Sequence, residues 1–295
     1  AQVIEQIIQN SPPLQSYQRH SAHHAFILSA AAEQIPRLAA ALQEMIRAGR
    51  LSPLQTEIDF GKGGLPALEM ALPDGAKIRL RGIIDRVDYA EIDGRNTAAV
   101  FDYKSTPRSF SWVRWKNGLD LQMPAYLLAL QGQSIDEKPL AEILGAFYIP
   151  IRNYPQTAAL SEYDKDRRFA YKARGFFNGE HADCLDSHVS KWSRYYNFAV
   201  DKEGSPYSSF NTSGALRPEQ FRDLLSATQG ILCGLAARIL AGQIEITPYR
   251  LSRTSPCSYC DYRAVCKFDW QINTYRLIPS LDKQAVLDSL KEDMP

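Results

Sequence analysis

The chain has 295 residues, with 34 Lys and Arg against 33 Asp and Glu, a formal net charge of +1; 45% of it is hydrophobic and 23% charged. These proportions are ordinary for a folded protein and leave ample chain to bury one large core or two small ones. They exclude a globally basic nucleic-acid coat, but not a local basic channel.

The first residue is Ala1, and Ala1–Asn10 already looks helical, as in a processed chain or a fragment. No apolar run in the sequence approaches the roughly 18 residues of a bilayer span, and no leader pattern opens the chain; the expectation is a cytoplasmic protein without a membrane partner. Ser21 to Arg50 reads as helix, with Phe26, Leu38, Leu42, Met45 and Ile46 at helical spacing, Pro36 as a kink and Gly49 as a stop. Gln55–Phe60 alternates like a strand and is closed by Gly61, Gly63 and Gly64. Gly61-Lys62-Gly63-Gly64 has the wrong spacing for a phosphate loop, so no ATP motor is recognisable. Lys77–Ile92 predicts a strand entered through Pro73-Asp74-Gly75, and Asp93-Gly94-Arg95-Asn96 is hairpin chemistry. The return strand is Thr97–Ser105, ended by Pro107. Leu119–Leu130 reads as helix and Ile143–Ile151 as strand, while 152–213 shows no clear period. Pro218–Leu240 is a long amphipathic helix closed by Gly242, and a cysteine-bearing tail occupies 255–270. This order predicts an α/β fold.

The hairpin carries the chemistry. Asp102 and Lys104 are two apart on a strand and so share a face. With the turn centred between Gly94 and Arg95, facing residue numbers sum to 189, pairing Lys104 with Asp85 and Asp102 with Val87. Asp85 and Asp102 then lie diagonally on one face, within reach of one ion. Carboxylates among apolar strand residues need neutralising, and oxygen ligands of this kind suit Mg²⁺ or Mn²⁺. The Tyr103 backbone carbonyl is a further candidate oxygen, and Lys104 can orient a water or balance charge on a phosphate. The plainer reading is a structural salt bridge between Lys104 and Asp85.

Gly82-Ile83-Ile84-Asp85, Asp102-Tyr103-Lys104 and Gln122-Met123-Pro124-Ala125-Tyr126 resemble, in order, the motifs of the PD-(D/E)XK nuclease superfamily in its RecB-type branch. The resemblance implies a restriction-endonuclease-like mixed sheet flanked by helices, with Asp85, Asp102, Lys104, Gln122 and Tyr126 catalytic. Gln122 and Tyr126, one helical turn apart, would line the DNA channel; without the family they read as a polar contact under a helix. The branch usually has an upstream metal-ligating His, whereas here only His20, His23 and His24 precede Asp85, in different surroundings.

Three of the five cysteines, Cys257, Cys260 and Cys266, form Cys-x₂-Cys-x₅-Cys, one ligand short of a zinc or cubane set. Cys233 reads as a helix-buried thiol, while Cys184 stays open as a ligand. The tail resembles that of AddB-type nuclease subunits, which implies a [4Fe–4S] cluster whose fourth cysteine lies upstream of this sequence, with Zn²⁺ the alternative. It also implies a Cys-rich C-terminal staple and an AddA-like helicase–nuclease partner in double-strand break repair. CRISPR-associated RecB-like exonucleases share both motif sets, and an inactive DNA-binding scaffold is the rival of another class. The expected divisions are a helical part over 1–54, the nuclease core with helical insertions over 55–250, and the Cys-rich segment over 251–295.

Cations interleaved with rings suggest a channel for single-stranded DNA or an unwound duplex end. The first such run holds Arg108, Trp112, Arg114, Trp115 and Lys116. A second holds Arg167, Arg168, Phe169, Tyr171, Lys172, Arg174, Phe176 and Phe177, and a third is Lys191–Tyr196.

Overall fold

A computed structural model describes residues 2–151 and 169–293. Three helices open it, α1 (Gln2–Asn10), α2 (Pro12–His20) and α3 (Ala22–Ala48), followed by strands β1 (Ser52–Phe60), β2 (Leu68–Ala71), β3 (Lys77–Leu80), β4 (Gly82–Ile92) and β5 (Arg95–Lys104). Next come α4 (Trp112–Lys116), α5 (Gln122–Leu130), the short β6 (Ser134–Ile135) and β7 (Lys138–Pro139), and β8 (Glu142–Pro150). The remainder is β9 (Arg174–Asn178), α6 (Ala182–Leu185), β10 (Ala215–Leu216), α7 (Pro218–Leu240), β11 (Tyr249–Leu251), α8 (Arg263–Cys266), β12 (Arg276–Ile278) and α9 (Lys283–Asp293).

Six strands form one mixed sheet in the order β1-β4-β5-β8-β9-β10. β4 pairs antiparallel with β1 and β5, and β5 pairs parallel with β8. β8 is buried almost throughout, as its unbroken apolar run requires of a strand covered on both faces. One face packs on α4, α5, α7 and α9 through Ile84, Val100, Trp115, Met123, Leu127, Tyr148 and Val286. The other carries Phe101, Phe147 and Phe177 against Met45 of α3, Leu185 and Phe198.

The β4–β5 turn is Asp93-Gly94, with φ of 50° and 74°, the two left-handed residues of a tight hairpin. It is centred one residue earlier than expected. Facing residues therefore run from Ile92–Arg95 to Arg86–Phe101, summing to 187 and not 189. The shift in sum is even, so every side chain keeps its face, but the expected pairs Lys104–Asp85 and Asp102–Val87 do not form. The expected single strand Lys77–Ile92 is interrupted at Arg81: its first part pairs with β2 and its second with β1. Against expectation, α3 and α7 do reach the length and mean hydropathy (1.2) of a bilayer span, although both contribute residues to the cores. Length and composition alone do not make them one.

Candidate active site

The site forms where β4 and β5 part. Their ladder ends at Arg86–Phe101; beyond it β4 continues along β1 through Ile84, Ile83 and Gly82, while Asp102, Tyr103 and Lys104 run along β8. In the gap a carboxylate replaces a backbone acceptor: the Tyr103 N–H donates to Asp85 Oδ2 at 2.8 Å. Asp102 is 1% exposed. Its Oδ1 accepts from Gln122 Nε2 at 3.1 Å, and Gln122 Oε1 accepts from Lys104 Nζ at 3.2 Å. The same Gln122 amide donates to the Tyr126 hydroxyl at 2.9 Å, one turn along α5. The expected catalytic residues Asp85, Asp102, Lys104, Gln122 and Tyr126 are thus gathered at one fork.

Lys104 pairs along its own strand, its Nζ 2.6 Å from Asp102 Oδ2, and not with Asp85 as the plain salt-bridge reading supposed. The Lys104 ammonium is therefore the group that compensates the buried Oδ2. Burial pushes the Asp102 carboxyl above its ordinary range against the pull of Lys104, and the Asp85 charge adds to the push. Burial likewise raises the Tyr126 phenol, which the Gln122 bond offsets and the charges of Asp102 and Asp85 reinforce. Two mutually repelling carboxylates, one of them buried and compensated by a single ammonium, fit a hard divalent cation. Among the described residues no group of three or more His, Cys, Asp and Glu gathers for a metal, so the protein offers two carboxylates and leaves other positions to water and substrate.

Gly82 makes room for this arrangement. A Cβ there would stand 2.9 Å from the Phe60 ring, which packs edge-on against Tyr126 with centroids 6.0 Å apart.

Several supporting residues lie outside the motif reading. On the reverse face of the sheet Arg86, 6% exposed, grips Asp88, 1% exposed, with two hydrogen bonds and donates to the Tyr103 hydroxyl at 3.0 Å. Tyr103 is thereby held at its ring while its amide holds Asp85. On the face that bears Asp102 and Lys104, buried Asp120 accepts from Arg108, the Tyr148 hydroxyl and the Ser111 amide, fixing the loop after Lys104. Charged residues at consecutive β4 positions, Asp85 and Arg86, were the available signal that both faces of this strand hold partners.

The expected DNA-contacting residues divide. Trp115 is a correction: it is fully buried, its indole donating to Thr228 Oγ1 at 2.8 Å, so it cannot stack on a base. Trp112 is half-buried against Phe110, and Arg114 donates to the Tyr249 hydroxyl at 3.4 Å. Lys116 donates to Ser289, and Arg108, anchored on Asp120, keeps 40% of its side chain exposed. Of the other two runs, Arg167 and Arg168 lie outside the described residues, and Tyr171, Phe176, Phe177 and Tyr196 are buried in the cores.

The tail cysteines sit on a 3₁₀ turn (Pro256–Ser258) and on and before α8, with Cys260 exposed and Cys257 and Cys266 half-buried. As they stand they do not make a complete cluster or zinc set. Cys233 is half-buried on α7, and burial, with Asp183 beside it, pushes the Cys184 thiol up to about 12. His20, His23 and His24 cluster with Tyr17 at the α2–α3 junction, His24 stacking on Tyr17 at 4.0 Å.

The family described as the PD-(D/E)XK nuclease superfamily matches residues 1–267. The chain is 30% identical over 298 residues to the B subunit of the ATP-dependent helicase/deoxyribonuclease of Moorella thermoacetica, covering 95% of this chain and 25% of that protein. It is 31% identical over 276 residues to the protein of the same name from Symbiobacterium thermophilum, covering 90% and 23%. Against that of Bacillus cereus it is 27% identical over 306 residues, covering 99% and 26%. The chain therefore spans about a quarter of the length of these relatives.

Proposed function

The chain belongs to the PD-(D/E)XK nuclease superfamily, and from that membership and its site we propose that it is a metal-dependent deoxyribonuclease, an exonuclease acting on single strands or unwound duplex ends. By similarity to relatives named as B subunits of an ATP-dependent helicase/deoxyribonuclease, it works within a bacterial helicase–nuclease; the AddB-type resemblance of its tail extends the proposal to an AddA-like partner, double-strand break repair and a cytoplasmic location. The observation that carries the reading is the fork of β4 and β5, where the buried Asp102 carboxylate, the Asp85 carboxylate and the Lys104 ammonium converge.

Asp85, Asp102 and the Tyr103 carbonyl would hold Mg²⁺ or Mn²⁺, which when bound supplies a Lewis acid for the phosphate and lowers the pKa of a water. The protein's own groups do the rest. Lys104 reaches into the fork between Asp102 and Gln122, where its ammonium positions the attacking water and balances charge as the phosphodiester is attacked. Gln122 fixes Lys104, Asp102 and Tyr126 together, so those side chains do not reorganise during the reaction. The Tyr126 hydroxyl positions the strand, and Arg108 supplies a cation for a neighbouring phosphate. In the same reading Cys257, Cys260 and Cys266 are three of the four thiolates of a [4Fe–4S] cluster, or of a Zn²⁺ site, completed from elsewhere in a longer protein; iron content distinguishes the two.

The test is cleavage of end-labelled single-stranded DNA with Mg²⁺ or Mn²⁺ and with EDTA, alongside Lys104→Ala and Asp102→Ala. Metal-dependent cleavage by the parent, lost in both variants with DNA binding retained, supports the reading. Undiminished cleavage in either variant overturns the assignment of the site. Tight binding by the parent without cleavage favours a DNA-binding scaffold.

A further inference from the structure

We propose that the C-terminal segment holds a second nucleic-acid site, a cleft between Arg250, Arg253 and Trp270 that takes one nucleotide of a single strand. The proposal deepens the nuclease reading and rests on it for the choice of nucleic acid as ligand. The cleft has a volume of about 450 Å³ and is lined by Arg250, Arg253, Ser255, Trp270 and Tyr275, with no carboxylate among them.

Three observations favour this ligand. Charge is concentrated here: residues 249–278 carry five Arg and Lys against two Asp, a net charge of +3, while the whole chain carries only +1. An aromatic side chain is presented outward: Trp270 is 71% exposed, although burying so large an apolar surface would stabilise the fold. The cleft is also built before any ligand arrives. Arg250 lies over the Tyr275 ring, 5.4 Å from its centroid. Trp270 rides on a loop closed on itself, where Asp269 accepts the Gln271 amide at 2.9 Å and Asn273 Oδ1 accepts the Asp269 amide at 3.0 Å.

Two guanidinium groups beside an exposed indole match a phosphate next to a base: the base stacks on Trp270 and the phosphate sits between Arg250 and Arg253. Stacking needs an unpaired base, which selects single strands over duplex. The segment is tied to the catalytic side of the sheet, because the Tyr249 hydroxyl accepts from Arg114 on α4, the helix after the Lys104 strand. A strand held at Trp270 is thus tethered on the face where cleavage is proposed.

The test is fluorescence anisotropy of a labelled oligothymidylate with the chain in EDTA, so that binding is read without cleavage. Trp270→Ala should weaken binding about ten-fold and Trp270→Phe should restore most of it. Arg250→Ala/Arg253→Ala should weaken binding by a similar factor and reduce the slope of log affinity against log salt by about 0.7 for each phosphate no longer neutralised. These side chains are exposed or half-buried, so unfolding is not expected, and an unchanged melting temperature verifies this. Trp270→Ala and the double arginine variant both binding within two-fold of the parent, or a Trp270→Phe no better than Trp270→Ala, would overturn the cleft. The nuclease reading fails separately, through absence of metal-dependent cleavage by the parent chain, whatever these affinities are.

Discussion

Replacing Arg86 by methionine tests whether the reverse face of the sheet holds the fork in shape. The guanidinium makes two hydrogen bonds to Asp88 and one to the Tyr103 hydroxyl, and Asp88 is only 1% exposed. The substitution keeps an unbranched apolar stem but strands a buried carboxylate. Removing one partner of a buried ion pair costs about 3–5 kcal/mol. At about 2–4 °C per kcal/mol for a domain of a few hundred residues, the melting temperature should fall by about 10 °C. Arg86→Met/Asp88→Leu removes both charges together and should recover most of that loss, because a buried pair replaced by apolar groups of similar size is close to neutral. Cleavage should not recover with it. In both variants the Tyr103 ring loses its anchor, its amide no longer fixes Asp85, and displacement of a catalytic group by about 1 Å lowers the rate about 100-fold. Thermal unfolding in EDTA and single-turnover cleavage with Mg²⁺ read the two effects separately. A single variant melting within 2 °C of the parent, or a double variant no more stable than the single, would refute the reasoning.

Gly82→Ala drives a methyl group into the Phe60 ring and should destabilise by about 1–3 kcal/mol while lowering cleavage, since Phe60 supports Tyr126; urea unfolding and cleavage assays check both. Saturating Mn²⁺ should raise the melting temperature of the parent but not of Asp102→Ala; at 100 times the dissociation constant the gain is about 2.7 kcal/mol. Lys283, buried at the start of α9, has its pKa pushed down to about 7 by burial and by the charge of Arg217. The unfolded chain keeps that proton up to the ordinary lysine range, so between these values it binds more protons than the folded one. Stability should therefore rise as pH increases above about 7, and Lys283→Met should flatten the rise in urea midpoints.

The hairpin and its chemistry were legible because alternation over Lys77–Ser105 assigns faces without reference to the rest of the fold. The register was missed by two because Asp93 adopts a positive φ, moving the turn to Asp93-Gly94, which the four turn residues alone did not specify. The long helix Pro218–Leu240 was bounded correctly by its proline and the glycine beyond it, both local signals. Trp115 was misread for the opposite reason. Its indole is satisfied by Thr228, 113 residues away, and nothing beside Trp115 in sequence announces that partner. Arg86 and Asp88 escaped notice because the motif directs attention to the face that bears Asp85. The Arg250–Trp270 cleft joins residues twenty apart through a 3₁₀ turn and the four-residue α8, below the reach of periodicity.

The bond from the Tyr103 amide to the Asp85 carboxylate gives the molecule a reporter of its own. A backbone proton shared with a carboxylate resonates according to the surroundings of that group, so one amide cross-peak would shift if a cation drew the Asp85 carboxylate toward it. Loading of the proposed metal site could thus be followed by NMR in the complete absence of nucleic acid, at an atom with no proposed part in bond cleavage. Metal occupancy and cleavage, if the proposal holds, become separately observable quantities here.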